Sequence, residues 1–242
     1  MTHDPTKSAT NQLQSCVDYT DLRKTIAYGD VESMCADAVA FGFGSVVVPT
    51  ALVRRAASIL GDQCPAVGSV LSYPFGTQAT VVKTCEAEVA LAHGAARLDL
   101  VPHFGAILAE RWDYVRDELE AVRSAAGDCP LTLVLETGRL RTSLIHELCT
   151  MAADCGYAYI ANTVGFRLVS TDPDAEGRAS ADTIRTLSEL ANGSVKIKAA
   201  GGLTDRSQAE ELRAAGAHRF AVDAARGAVL DGNWRPLPKG DG

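Results

Sequence analysis

Short apolar runs alternate with longer amphipathic stretches along most of this chain. Eight runs read as strands: Ser15–Thr20, Gly44–Pro49, Ala66–Ser72, Arg97–His103, Leu131–Glu136, Tyr157–Thr163, Val195–Ala199 and Arg219–Asp223. Ser45-Val46-Val47-Val48 and Leu131-Thr132-Leu133-Val134-Leu135 are aliphatic almost throughout, as strands buried on both faces are. Helical periodicity fills the intervals. Thr77 is placed to cap a helix through Val81, Val82, Cys85, Val89 and Ala92, stopped at Gly94. Asp113–Ala126 aligns Val115, Leu119 and Val122 on one face. Thr142 precedes a helix through Leu144, Ile145, Leu148, Met151 and Ala152, and Thr204 one through Ala209, Leu212 and Ala215. Strand, cap, helix, glycine, strand is the grammar of repeated βα units.

Eight units in one chain of 242 residues point to a single α/β domain, a (β/α)8 TIM barrel over 15–231, in preference to an open doubly wound sheet. Residues 1–14 read as a polar N-terminal arm, loose or a short helix, and 232–242 as an irregular tail. A P-loop is absent, and no GxGxxG follows the first strand.

In such a barrel chemistry gathers where strands end. The residues expected there are Asp18, Thr20, Pro49, Thr50, Tyr73, Asp99, His103, Glu136, Arg139, Ala161, Asn162, Thr163, Lys198, Gly201, Gly202 and Asp223. Arg167 and Arg226 follow in the next loops. Val195-Lys196-Ile197-Lys198-Ala199-Ala200-Gly201-Gly202 stands out, because strand alternation puts both lysines on one face. If that face is the barrel interior, two ammonium groups there need a use or a partner. Asp99, an acid within an apolar strand, is the natural partner. The glycine pair before a capped helix could let backbone amides approach an anion.

Composition narrows the function classes. A net charge of −7 argues against a nucleic-acid partner, and no apolar run approaches the ~18 residues of a membrane span. Seven cysteines without a CxxC pair suit reduced thiols in the cytoplasm. Five histidines without HxH or HExxH spacing give no reason to expect a metal, and no cofactor is expected.

Several motifs, taken in order, resemble those of the deoxyribose-phosphate aldolase family. They are Ser45-Val46-Val47-Val48, Tyr73-Pro74-Phe75-Gly76, Arg97-Leu98-Asp99-Leu100-Val101, Leu133-Val134-Leu135-Glu136-Thr137, Tyr159-Ile160-Ala161-Asn162-Thr163-Val164-Gly165 and Lys198-Ala199-Ala200-Gly201-Gly202. The resemblance spans about residues 15–230 and implies a class I aldolase barrel. It implies an imine-forming lysine on strand 6, helped by an aspartate on strand 4 and a lysine on strand 7. Carried over, the aspartate is Asp99 and the strand-7 lysine is Lys198. The strand-6 lysine position holds Ala161, which cannot form an imine, and the family's strand-5 lysine reads Thr132. The strand-2 cysteine and asparagine read Val47 and Pro49, and the phosphate-binding turn after strand 8 reads Ala221-Val222-Asp223-Ala224.

The expectation is therefore a divergent aldolase-like lyase acting on a small carbonyl compound, in a biosynthetic setting. It works by an aldol, retro-aldol or related lyase or cyclisation step. The expected catalytic set is Lys198, Asp99, Lys196, Glu136, Asn162 and His103. Asp18, Thr20, Tyr73, Thr163, Arg167, Gly201, Gly202, Asp223 and Arg226 are expected to bind substrate. In one version Lys198 forms the imine, with Lys196 partly replacing the amine lost at Ala161. In a second, no imine forms, and the same groups serve an isomerase, cyclase or lyase step on an unphosphorylated substrate. A third reading is a catalytically inactive binding homologue. A homodimer is the expected assembly.

Overall fold

The structure, a computed structural model, describes residues 12–62, 64–165, 179–203, 205–224 and Trp234. Eight parallel strands close into a barrel in sequence order: β1 (Val17–Thr20), β2 (Ser45–Val47), β3 (Ala66–Leu71), β4 (Arg97–Leu100), β5 (Leu131–Val134), β6 (Tyr159–Ala161), β7 (Lys196–Leu203) and β8 (Arg219–Asp223). Every expected strand is present. Between them lie α1 (Tyr28–Phe41), α2 (Val53–Leu60), α3 (Thr80–Ala92), α4 (Phe104–Leu108), α5 (Trp112–Ala126), α6 (Thr142–Asp154), α7 (Ala181–Ala191) and α8 (Arg206–Ala214). Short 3-10 turns at Thr50–Leu52 and Thr137–Arg139 lead into α2 and α6.

Alternation along the strands sorts side chains cleanly. Val46, Leu98, Leu100, Leu131, Leu133, Ile160, Ile197, Phe220 and Val222 join the main core between barrel and helices. The intervening positions face inward, and there Val47, Val70 and Val101 form a separate small cluster. The helices cover the outer face with stripes such as Val115, Leu119 and Val122 of α5 and Leu144, Ile145 and Leu148 of α6.

Four details differ from the sequence reading. The expected face of α3 is the exposed one: Val81 is 65% and Val82 49% exposed, whereas Lys83, Ala87 and Ala90 are buried. Helix α3 is apolar on both sides, so hydrophobicity alone does not set its rotation, and the side it buries is the one whose Lys83 pairs with Glu118. Helix starts also moved. Ala79 takes the N-cap position of α3, and Asp205 caps α8 by accepting from the Gln208 amide at 2.9 Å. Strand β7 runs on through Gly201 and Gly202 to Leu203, with a register break against β8 between Ala199 and Leu203. Both glycines take positive φ, 96° and 75°, which suits residues without a Cβ. Within the tail, Trp234 is buried edge-on against Phe43. Residues 1–11, Thr204, Arg167, Arg226 and the rest of the tail lie outside the described residues.

Candidate active site

Lys198 is the centre of the barrel interior. It is 4% exposed, and its Nζ lies 2.6 Å from Asp99 Oδ2 and 2.8 Å from Asp18 Oδ2. Three strands supply this triad: β7, β4 and β1. Asp18 also accepts from Ser45 Oγ and from the guanidinium of Arg219, whose Nε stands 3.1 Å away. Arg219 is 7% exposed and lies beside Lys198 in the β7–β8 register. Two cations and two carboxylates are thus interleaved in a water-poor interior.

The electrostatics follow from that packing. Burial acts to expel the proton from Lys198, but Asp18 and Asp99 outweigh it and hold the ammonium above the ordinary lysine value. Magnitudes explain the order: each contact is worth about 6 kcal/mol at an effective dielectric of about 20, against a desolvation cost of several kcal/mol per ion. Burial likewise disfavours the Asp18 carboxylate, yet Lys198 and Arg219 pull its pKa well below the ordinary range. The packing thus favours the charged form of both Lys198 and Asp18. Asp99, at 8% exposure, is the more open of the two acids.

The walls are apolar. Val47, Val70 and Val101 line one side, with Tyr73, Leu22 and Val164 packed on them from the loops. Ala161, the strand-6 position that the family resemblance gives to the imine lysine, pairs with Lys198 in register and is 2% exposed. Tyr73 stands over this cluster. Burial raises its phenol first, then the charges of Asp223, Glu136 and Asp21, and together they push it up to about 12. Asp223 ends β8 opposite Thr20 of β1, and Thr20 donates its hydroxyl to the Asp18 carbonyl at 3.0 Å. Asp21 is held by Arg23, whose Nε is 2.9 Å from its Oδ1.

Other expected site residues turn out to hold the frame. Asn162 is fully buried; its amide donates to the Ala200 carbonyl at 3.0 Å and accepts from the Ala200 amide at 2.8 Å. It ties β6 to the irregular part of β7. Glu136, in the left-handed region at φ 50°, accepts from the Thr163 hydroxyl at 2.8 Å and the Val164 amide at 2.5 Å. Thr163 in turn accepts from the Gly165 amide at 3.1 Å. Glu136 and Thr163 therefore latch the loops after β5 and β6. His103 caps α4, its Nδ1 accepting from the Ala106 amide at 3.0 Å, and its ring meets Tyr114 edge-on.

Lys196 requires a correction. It shares the face of Lys198, as alternation demands, but it is the first residue of β7 and is exposed. At that rim its long stem carries the ammonium to water, with Nζ 5.9 Å from the Tyr159 ring centroid. It is no second amine within the site. Sequence reasoning also passed over Ser45 and Arg219, although Arg219 opens an apolar strand as conspicuously as Asp99 interrupts one. Among the described residues, no group of three or more His, Cys, Asp or Glu side chains forms a metal site, and no helix is long and apolar enough to cross a membrane.

Residues 12–230 match the family profile described as DeoC/LacD family aldolase. The chain belongs to that family. It is 31% identical over 213 residues to a deoxyribose-phosphate aldolase of Bdellovibrio bacteriovorus, covering 88% of this chain and 93% of that protein. It is 31% identical over 232 residues to one of Mycobacterium ulcerans, covering 94% and 98%. Among solved structures it superposes on an aldolase named QR15 with a TM-score of 0.80 at 25% identity, covering 90% of this chain and 96% of that one. The deoxyribose phosphate aldolase of Aeropyrum pernix gives 0.78 at 22% identity, covering 93% and 92%, a likeness of fold. The aldolase-like barrel is therefore shared across nearly the whole chain.

Proposed function

We propose that this family member is an aldolase-like lyase that works on a carbonyl compound without forming an imine. In this reading Lys198 acts as a charged acid. Its ammonium supports the carbonyl oxygen as negative charge develops there, and Asp99 takes the proton that leaves a neighbouring carbon or hydroxyl. Carbon–carbon cleavage or formation, or a related cyclisation, then passes through an enolate. The observation that carries the proposal is the double clamp on Lys198: an amine held by carboxylates at 2.6 and 2.8 Å is a poor nucleophile. The second support is Ala161, which leaves strand 6 without an amine.

The substrate in this reading is unphosphorylated. Asp223 at the end of β8 would repel a phosphate dianion, and the valine walls suit an uncharged or apolar body. A cytoplasmic setting belongs to the same reading and is supported by seven free cysteines.

The test is a panel of aldehydes and ketones offered in both reaction directions, each with and without borohydride. Turnover lost in Lys198→Ala and Asp99→Asn, with no borohydride adduct on Lys198, is the expected result. A stoichiometric adduct on Lys198 would replace this reading with the imine version. Robust cleavage of 2-deoxyribose 5-phosphate would overturn the significance given to Ala161 and Asp223.

A further inference from the structure

A second buried ion pair lies outside the barrel. Lys83 of α3 and Glu118 of α5 are both 0% exposed, with Nζ 2.7 Å from Glu118 Oε1. The remaining donors of Lys83 go to backbone: the Gly76 carbonyl at 2.8 Å and the Val101 carbonyl at 3.0 Å. Glu118 Oε2 accepts from the His103 amide at 2.9 Å. Two of the lysine's three donors thus go to loop carbonyls, and its charge faces the Glu118 carboxylate.

These contacts converge on two loops. Gly76 belongs to the loop after β3, three residues past Tyr73. Val101 and His103 follow β4, two and four residues past Asp99. The loops are packed so closely that a Cβ on Gly76 would stand 2.0 Å from the Pro102 carbonyl oxygen. Two helices thus reach inward, through one charge pair, to grip the chain just beyond two residues of the site. Burying this pair costs about as much as it returns, so stability alone is a weak reason to place it there. The pair also explains why α3 buries Lys83 and leaves Val81 and Val82 in water.

We infer that the Lys83–Glu118 pair is a positioning device, holding the loops after β3 and β4 so that Asp99 stays in place against Lys198 and Tyr73 over the valine cluster. This rests on the reading of Lys198 and Asp99 as the working pair. Neither Lys83 nor Glu118 touches substrate in this account.

The test reads Lys198 directly and needs no substrate. In protein with 13C-labelled lysine, the Lys198 side-chain shift is followed through a pH titration. The charges facing Lys198 are Asp18 and Asp99, with Arg219 behind Asp18. Lys83→Met frees the Val101 carbonyl, Asp99 backs away, and the Lys198 midpoint falls by about one pH unit or more. The double variant Lys83→Met with Glu118→Leu regains most of the thermal stability lost in the single one, yet keeps the shifted midpoint. A wild-type Lys198 titration in either folded variant would reduce the pair to a structural contact and overturn the inference. Should neither variant fold, amide exchange in the wild-type protein decides. The His103 amide is expected among the slowest to exchange, and rapid exchange there contradicts the grip. If the Lys198 midpoint shifts but Lys198→Ala leaves turnover intact, the functional reading fails and the positioning inference stands.

Discussion

The molecule holds two buried lysines that solve one problem in opposite ways. Lys83 meets a single carboxylate and two backbone carbonyls. Burial dominates there, and the ammonium is held below the ordinary lysine value despite Glu118. Lys198 meets two carboxylates, and they prevail over burial. The first arrangement suits a tie: two backbone carbonyls fix its direction and full burial keeps it from any bound molecule. The second holds a positive charge firmly in the barrel interior, beside the partly open Asp99, which suits the support of developing negative charge proposed above. Position in the fold agrees, since one pair sits between helices and the other faces the barrel interior.

The largest test of that contrast is Asp18→Asn. It strands Arg219 and leaves Lys198 with Asp99 alone, and it should cost about 3–5 kcal/mol, read from the urea midpoint. A cost under about 1 kcal/mol would show that Asp99 alone compensates both cations. Lys83→Met strands only Glu118 and should lose somewhat less, with most of the loss recovered when Glu118→Leu is added. An additive double variant would mean that the two residues do not act as a pair.

The pH dependence of stability separates the two sites further. Asp18 is depressed in the folded state, so its contribution is present above the ordinary carboxylate range and is lost as pH falls below about 4. Lys198 is raised, so its contribution is present below about pH 10.5 and is lost as pH climbs past the ordinary lysine value. Lys83 is lowered and works the other way, becoming less costly as the solution turns alkaline. Chemical denaturation across pH should show Asp18→Asn flattening the acid limb. An unchanged acid limb would assign it to other carboxylates. The smallest effect belongs to Lys196→Ala. This exposed residue should change stability by no more than about 0.5 kcal/mol and turnover by less than about twofold.

The barrel was legible because its strands carry their own signal. Leu131–Leu135 is apolar on both faces, and only a strand sandwiched between interior and helices needs that. Asp99 and Lys198 were legible for the same reason, as charges set between apolar neighbours inside strands. Depth was not legible. A period of two assigns Lys196 and Lys198 to one face but says nothing about which sits at the rim. Nor did periodicity fix the rotation of α3, where an apolar stripe competes with the stripe containing Lys83. A lysine four and seven residues before buried alanines was the available signal. Glu136, Asn162 and Thr163 carry side chains fit for chemistry, and only their partners show that backbone amides and carbonyls already engage them.

The proposed function rests on Lys198 keeping its proton in the barrel interior. The most direct measurement is its ionisation in the wild-type protein, followed by the side-chain carbon shift of 13C-labelled lysine from pH 6 upward. Lys198 is expected to stay charged throughout, with no midpoint below about 10.5, the ordinary lysine value. A midpoint near neutrality would make it a free amine in the resting protein and would rule out a charged Lys198 as the group that supports the carbonyl oxygen.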